Sequence, residues 1–196
     1  MRRWIAGALL LVAFSRPAVA QTDPAEATVQ TLDNGLIQIM KARAAQKTRA
    51  QSIAPVIDRA FDLPLMTRLA VGPSWTTIPA SDQQALVGAF RRMTIAQYAA
   101  NFDSWSGESF TIAPGVEGRA GDKLVRTTLN VPHKEAIAIS YRLRLSGGEW
   151  KIIDVFYRNS ISQIATRRSD FSSVLAKEGA RGLVAHLDNL AAKGSF

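Results

Sequence analysis

The chain contains no cysteine and only two histidines, His133 and His186. Disulfides and thiolate metal sites are therefore excluded. Two histidines with no metal-ligand spacing around them do not build a metal set either; both read as solvated, His133 in a turn and His186 in the last helix. No Gly-x-Ser-x-Gly elbow is present. Gly107, Gly115, Gly118 and Gly121 are not followed by the Lys-Ser or Lys-Thr of a phosphate loop. Long apolar runs are equally scarce: the stretch from Trp4 to Phe14 is too short to span a bilayer. Basic residues outnumber acidic ones, 24 to 16, but they are scattered and carry no aromatic-basic motif, which argues against a nucleic-acid partner. The usual catalytic sets thus fail in turn, and the residues call for no cofactor.

What is present at the start is a targeting pattern. Arg2 and Arg3 precede the apolar run, and Ala18-Val19-Ala20 forms a small-x-small cleavage site. This predicts a signal peptide over residues 1–20 and a single mature domain over residues 21–196, soluble in the periplasm. No cysteine follows the site, so no lipoprotein anchor is expected. Loss of Arg2, Arg3 and Arg16, with no acid, lowers the formal net charge from +8 to +5. A modest positive field suits anionic headgroups or an acidic partner; an ordinary soluble surface is the plainer reading. A chain of this size buries roughly 70% of its unfolded surface, enough for a core without disulfides.

The period is helical first. Asp23-Pro24 reads as an N-cap with Pro in the first turn, followed by Val29, Leu32, Leu36 and Met40, with Asn34-Gly35 as a possible bend. A second helix is expected over Pro55–Phe61. Asp62 caps a third, which Gly72 ends in a left-handed conformation. Ser81 and Gln84 have capping-box spacing ahead of a long helix carrying Leu86, Phe90, Met93 or Thr94, Tyr98 and Phe102 on one stripe.

From Gly107 the period becomes two. Strands are expected near residues 109–113, 123–131, 135–145 and 149–157, joined by short turns at Gly118–Gly121, Pro132–Lys134 and Gly147-Gly148. In the third, Ile137, Ile139, Tyr141, Leu143 and Leu145 share one face. The fourth is apolar on both: Trp150, Ile152 and Phe156 against Ile153, Val155 and Tyr157. After Asn159 three short helices are expected, broken at Gly179 and Gly182. Helices, a four- to five-stranded antiparallel meander and helices again make an α+β fold with helices on one face of a curved sheet. Periodicity alone is equally consistent with a solid core and with a cavity.

Asp154 stands out, because a carboxylate on a strand covered on both faces needs a partner. Arg126, Arg142 and Arg168 are the available cations, and a structural ion pair between Asp154 and Arg168 is the assignment made; a cap to a nearby backbone amide, a headgroup contact and a catalytic role are the alternatives. An enzyme would need an acid–base pair in the cavity, and no histidine partners Asp154 in the sequence.

Several short runs carry a resemblance. They are Tyr141-Arg142-Leu143, Gly148-Glu149-Trp150-Lys151-Ile152-Ile153-Asp154-Val155, Arg168-Ser169-Asp170-Phe171, Gly179 and Gly182-Leu183. A weaker run goes from Phe61-Asp62 through Arg68-Leu69-Ala70 to Gly72 and Trp75. In this order and spacing, over residues 55–190, the chain resembles the MlaC, or toluene-tolerance, family of periplasmic lipid-binding proteins. The stretch Ile161–Ser169 is most similar to the hopanoid-associated branch, HpnM; the more usual branch has Asn-Tyr where Thr166-Arg167 stands here. The resemblance implies a cone-shaped sheet lobe like that of nuclear transport factor 2, closed around an apolar lipid cavity.

The lining that it implies is Phe61, Leu65, Met66, Leu69, Trp75, Phe90 and Met93 from the first half, then Tyr98, Ile139, Tyr141, Ile152, Phe156, Ile164 and Phe171. Tyr141, Phe156 and Tyr157 are the aromatics considered for closing its mouth. The implied function is a shuttle, not an enzyme, for a hopanoid or a glycerophospholipid. The implied partners are an inner-membrane transporter, either an ABC complex with an MCE component or an RND-type exporter, and an outer-membrane acceptor. An enzyme of the same cone-shaped fold and a lipid-free adaptor are the rival readings.

Overall fold

A computed structural model describes residues 22–194. Among them, four α-helices precede six strands, and a fifth α-helix follows. Helices α1 (Pro24–Lys41), α2 (Gln46–Ala60), α3 (Leu63–Val71) and α4 (Ala80–Asn101) come first. Strands β1 (Ser109–Ile112), β2 (Glu117–Arg119), β3 (Asp122–Asn130), β4 (Ile137–Ser146), β5 (Glu149–Tyr157) and β6 (Ile161–Ser162) follow, and α5 (Gln163–Lys193) closes the chain. No helix among the described residues is long and apolar enough to cross a membrane. The α+β arrangement is the one expected.

Local chemistry explains most of the boundaries. The Asp23 carboxylate accepts from the Ala25 amide at 2.8 Å and starts α1. Asp62 accepts from Leu65 at 3.0 Å and starts α3. Gly72 ends α3 at φ +71°, ψ −144°, a conformation that side-chain-bearing residues rarely adopt but not the left-handed cap expected. Three other expectations change. Helix α2 begins nine residues before Pro55 and accommodates that proline in its interior. Helix α4 begins after Pro79 without a side-chain cap, so Ser81 and Gln84 form no capping box. Gly35 does not bend α1; a β-carbon there would sit 2.9 Å from Val56 Cγ1, so the glycine lets α2 approach closely. At the C-terminal end, one long helical run replaces the three short helices, interrupted at Gly179 (φ +68°, ψ −170°).

The sheet is antiparallel in the order β1-β3-β4-β5-β6, and β2 continues the edge begun by β1 along β3. A register shift between β4 and β5 decides which side chains face the helices. Arg142 pairs with Asp154 but Leu143 pairs with Ile152, leaving Ile153 as an inserted residue. A bulge of this kind reverses the facing of every residue beyond it. Val155 and Tyr157 thus join Tyr141 and Ile139 on the helix side, while Phe156 pairs with Ser140 on the opposite side. The expected division of β5 holds for Trp150 and Ile152 and inverts after them.

Next to the shift, the Ile152 carbonyl accepts from the Asp62 amide at 2.9 Å, and Phe61 forms an isolated parallel bridge to Ile152. This fastens the α2–α3 corner to β5. The core between the helices and the sheet contains Leu32, Leu36, Ile53, Ile57, Leu86 and Leu143, all fully buried.

Candidate functional site

Between α4, the start of α5 and the helix side of β3–β5 lies a cavity of about 290 Å³. Phe61 and Met66 reach it from the α2–α3 corner. Helix α4 contributes Phe90, Thr94, Gln97, Tyr98 and Asn101, with Phe102 beyond its end. The sheet contributes Leu129, Ile137, Ile139, Tyr141, Val155 and Tyr157, and α5 contributes Gln163, Ile164 and Arg167. Phe61, Phe90, Tyr141 and Ile164 are buried at the floor, whereas Asn101 is exposed and Tyr157 is 39% exposed, which places the mouth at that end. Aromatic rings line the route inward: Phe61 meets Tyr98 edge-on at 5.6 Å, and Tyr98 stacks on Phe102 at 5.9 Å.

Of the lining predicted from sequence, Phe61, Met66, Phe90, Tyr98, Ile139, Tyr141 and Ile164 come together around this space. Met93, Ile152 and Phe171 are buried in solid core behind it, and Phe171 meets Phe90 edge-on at 6.3 Å. Leu65, Leu69 and Trp75 sit half-buried on α3 and the turn after it, away from the cavity. Phe156 is on the far side of the sheet because of the bulge. For closing the mouth, Tyr141 is too deep and Phe156 faces away; Tyr157 alone of the three stands there.

The Asp154–Arg168 pair does not form. Asp154 accepts from the Ser162 hydroxyl at 2.6 Å and from the amides of Ile164 and Val155 at 3.1 and 2.8 Å. It therefore caps the first turn of α5, where unpaired amides concentrate. Arg168 instead donates twice to the Leu69 carbonyl, at 3.0 and 2.7 Å, tying α5 to the end of α3. The other two cations are engaged elsewhere: Arg126 with Glu117 at 2.9 Å, and Arg142, together with Arg144, on the buried Asp122.

Two charged groups beside the cavity escaped the sequence reading. Asp33, on α1, is buried with neither carboxylate oxygen hydrogen-bonded, and burial pushes its carboxyl up to about 7. Arg167 lines the wall. Its Nη1 lies 3.3 Å from Met93 Sδ, its Nη2 2.5 Å from Gln97 Oε1, and its guanidinium carbon 5.9 Å from the Phe90 ring centre. Both had a signal in the sequence: Asp33 falls between Val29 and Leu36 on an apolar stripe, and Arg167 between Ile164 and Phe171 on another. Contrary to the all-apolar lining expected, Thr94, Gln97, Asn101, Gln163 and Arg167 form a polar seam along α4 and α5.

Among the described residues, the titratable lining groups are Tyr98, Tyr141, Tyr157 and Arg167. Burial, then the neighbouring Asp33, pushes the Tyr98 hydroxyl up; burial, then Tyr98 and Asp33, does the same to Tyr141. At neutral pH the Tyr98 and Tyr141 hydroxyls keep their protons. The cavity suits an apolar chain with a polar group along one wall.

The family described as MlaC protein matches residues 30–189. Among solved structures, a phospholipid-binding protein from Ralstonia solanacearum, determined in complex with a phospholipid, is similar to the chain with a TM-score of 0.75 and 27% identity, covering 87% of this chain and 98% of that one. No curated protein matches.

Proposed function

The chain belongs to the MlaC family, and we propose that it is an exported lipid-binding protein that carries one membrane lipid at a time between the inner and outer membranes. The observation that carries this reading is the cavity between α4, α5 and the sheet, apolar on its corner and sheet sides, in a chain whose fold resembles a protein solved with phospholipid bound.

The energetics define the task. Each exposed methylene costs about 0.8 kcal/mol, so a lipid of roughly thirty methylenes would cost on the order of 25 kcal/mol to carry bare through water. A pocket that covers the tails nearly as well as the bilayer removes that barrier, and the carrier itself then needs no energy source. Tyr157 and Ile161, paired across β5 and β6 and exposed near the mouth, give the mouth an apolar lip that can meet a membrane or a transporter.

The remaining parts of the proposal follow from the sequence. Residues 1–20, which lie outside the described residues, act as a signal peptide that releases a periplasmic protein beginning at Gln21. The stretch Ile161–Ser169 relates the chain to the hopanoid-associated HpnM branch, with a hopanoid or a glycerophospholipid as cargo. Its membrane partner is an MCE-containing ABC complex or an RND-type exporter, with an acceptor at the outer membrane.

Native mass spectrometry of the protein purified from the periplasm tests the central claim. Co-purified lipid at one molecule per chain is the expected result. A chain that is always empty and takes no lipid from vesicles would be an adaptor. Turnover of a small molecule in the cavity would instead make it an enzyme.

A further inference from the structure

We propose that the face of the sheet away from the cavity holds a docking groove for an extended acidic segment of a partner protein. The groove has a volume of about 510 Å³, and its lining includes Arg119, Asp122, Leu124, Arg126, Arg142 and Phe156. None of these residues lines the lipid cavity. Register puts them together. Arg119 pairs with Asp122, Asp122 with Arg144, Leu124 with Arg142, and Arg126 with Ser140, which pairs in turn with Phe156. Directly opposed residues of an antiparallel ladder share a face, here the one opposite Ile139, Tyr141 and Val155.

The groove presents more cations than anions. The Asp122 carboxylate accepts from Arg142 Nε and from Arg144 Nε, each at 2.6 Å. Two guanidiniums on one carboxylate leave one positive charge over. Asp122 is 4% exposed, whereas the two arginine side chains are 45% and 41% exposed, so a partner meets the cations first. Bonding to Arg144 holds the Asp122 carboxyl below its usual range, so the carboxylate stays ionised at neutral pH and braces both arginines. Arg119 is exposed and has no ion-pair partner among the described residues. Arg126 is paired with the exposed Glu117 at 2.9 Å. Asp154, level with Arg142, is buried and turned to the start of α5.

Spacing identifies the shape of the ligand. Arg119 and Arg144 are level with Asp122, Arg142 is level with Leu124, and Arg126 lies two residues further along β3. Same-face residues of a strand are about 6.6 Å apart, so the arginines occupy three rungs over about 13 Å. One phosphate or carboxylate covers a single rung. An extended chain with acidic side chains two or four residues apart covers all three, because its own same-face residues repeat at that interval. Leu124 and Phe156 are half-buried and give the groove an apolar floor for a side chain beside the acids. That floor favours a protein segment over a bilayer, whose flat headgroup plane reaches protruding groups and not the bottom of a groove. The groove and the cavity open on opposite faces of the sheet, so either can function without the other.

The test selects a phage-displayed library of random linear peptides on the full mature chain and titrates the enriched sequences, made synthetically, by fluorescence anisotropy. Enrichment of peptides with acidic residues at i and i+2 or i and i+4 is expected. Arg119→Glu combined with Arg126→Gln should weaken their binding at least about tenfold. Arg119→Lys combined with Arg126→Lys keeps the charge and should retain most of the affinity. Both pairs of substitutions are at exposed side chains across the sheet from the cavity, so the melting temperature and the lipid seen in native mass spectra should not change.

Enriched peptides without an acidic preference, or acidic peptides that bind Arg119→Glu/Arg126→Gln as tightly as the wild type, would overturn the groove while leaving lipid binding intact. Co-sedimentation with phosphatidylglycerol vesicles that this double substitution abolishes, with no acidic peptide selected, would also overturn it and assign the face to a membrane. Selected acidic peptides that depend on both arginines, in a chain that never carries lipid, would support the groove and count against the lipid reading alone.

Discussion

Asp154 and Ser162 lock the end of the sheet to the start of α5: the serine hydroxyl donates to the carboxylate at 2.6 Å and at the same time accepts from the Ala165 amide at 3.0 Å. The carboxylate also takes the amides of Val155 and Ile164. Asp154→Asn keeps one acceptor oxygen and presents an NH2 group toward donors, which should cost about 1–3 kcal/mol. Ser162→Ala should cost about 1 kcal/mol through the lost cap, and the double variant should lose less than the sum because the two share one network. Thermal unfolding of the four proteins checks this. Lipid binding should be nearly unchanged, since neither residue lines the cavity; lost lipid with an unchanged melting temperature would move Asp154 into the site.

Elements whose signal is local were legible in the sequence. The Asp23 and Asp62 caps and the alternation through β4 follow from residues a few positions apart. The bulge at Ile153 was not, because no glycine or proline marks it and an inserted isoleucine looks like any strand residue. It displaced Phe156 from the cavity and brought Val155 and Tyr157 in. The arginine partners were equally illegible: Arg168 is ninety-nine residues from the Leu69 carbonyl that it clamps, and only the assembled fold brings them together. Asp33 and Arg167 were missed for another reason. A charged residue on an apolar stripe is easily read past, although its position within the stripe is the evidence of its burial.

Filling the cavity should separate carriage from stability. Ile139 is on the cavity wall, so Ile139→Trp places the added volume in open space and should change stability by less than about 1.5 kcal/mol. Leu86→Trp puts comparable volume into fully buried core and should cost about 1–3 kcal/mol. Ile139→Trp is therefore expected to purify as a stable, lipid-free protein, and Leu86→Trp as a weakened one that still takes lipid. Equal destabilisation by both substitutions would mean that the space near Ile139 cannot take a guest.

The α1–α2 contact depends on Gly35. A β-carbon there would lie 2.9 and 3.1 Å from the two γ-carbons of Val56 and 3.3 Å from Ile53 Cδ1. Gly35→Ala gains up to about 1 kcal/mol of helix propensity, but the crowding should outweigh it. In a Val56→Ala background only the flexible end of Ile53 remains close, at 3.3 Å, and Gly35→Ala should stabilise. Urea unfolding of the cycle would show this reversal of sign, and an alanine that stabilises in both backgrounds would show that Val56 yields freely.

Asp33 should make stability depend on pH in the opposite sense to an ordinary paired carboxylate. Its side chain is 1% exposed, neither oxygen has a hydrogen-bond partner, and burial raises it from 3.8 to about 7. Between those values the folded chain holds a proton that the unfolded chain has released, so stability falls as pH rises. The penalty is absent below about pH 4, grows through the interval and is complete above pH 7. At 1.36 kcal/mol per unit it reaches about 4 kcal/mol. Asp33→Asn cannot ionise, so the difference between the two proteins isolates this residue from every other titrating group. The variant is expected to match the wild type near pH 4 and to exceed it by a few kcal/mol at pH 8. Parallel stability curves for the two proteins from pH 4 to pH 8 would mean that the carboxylate finds solvent or a partner when it ionises.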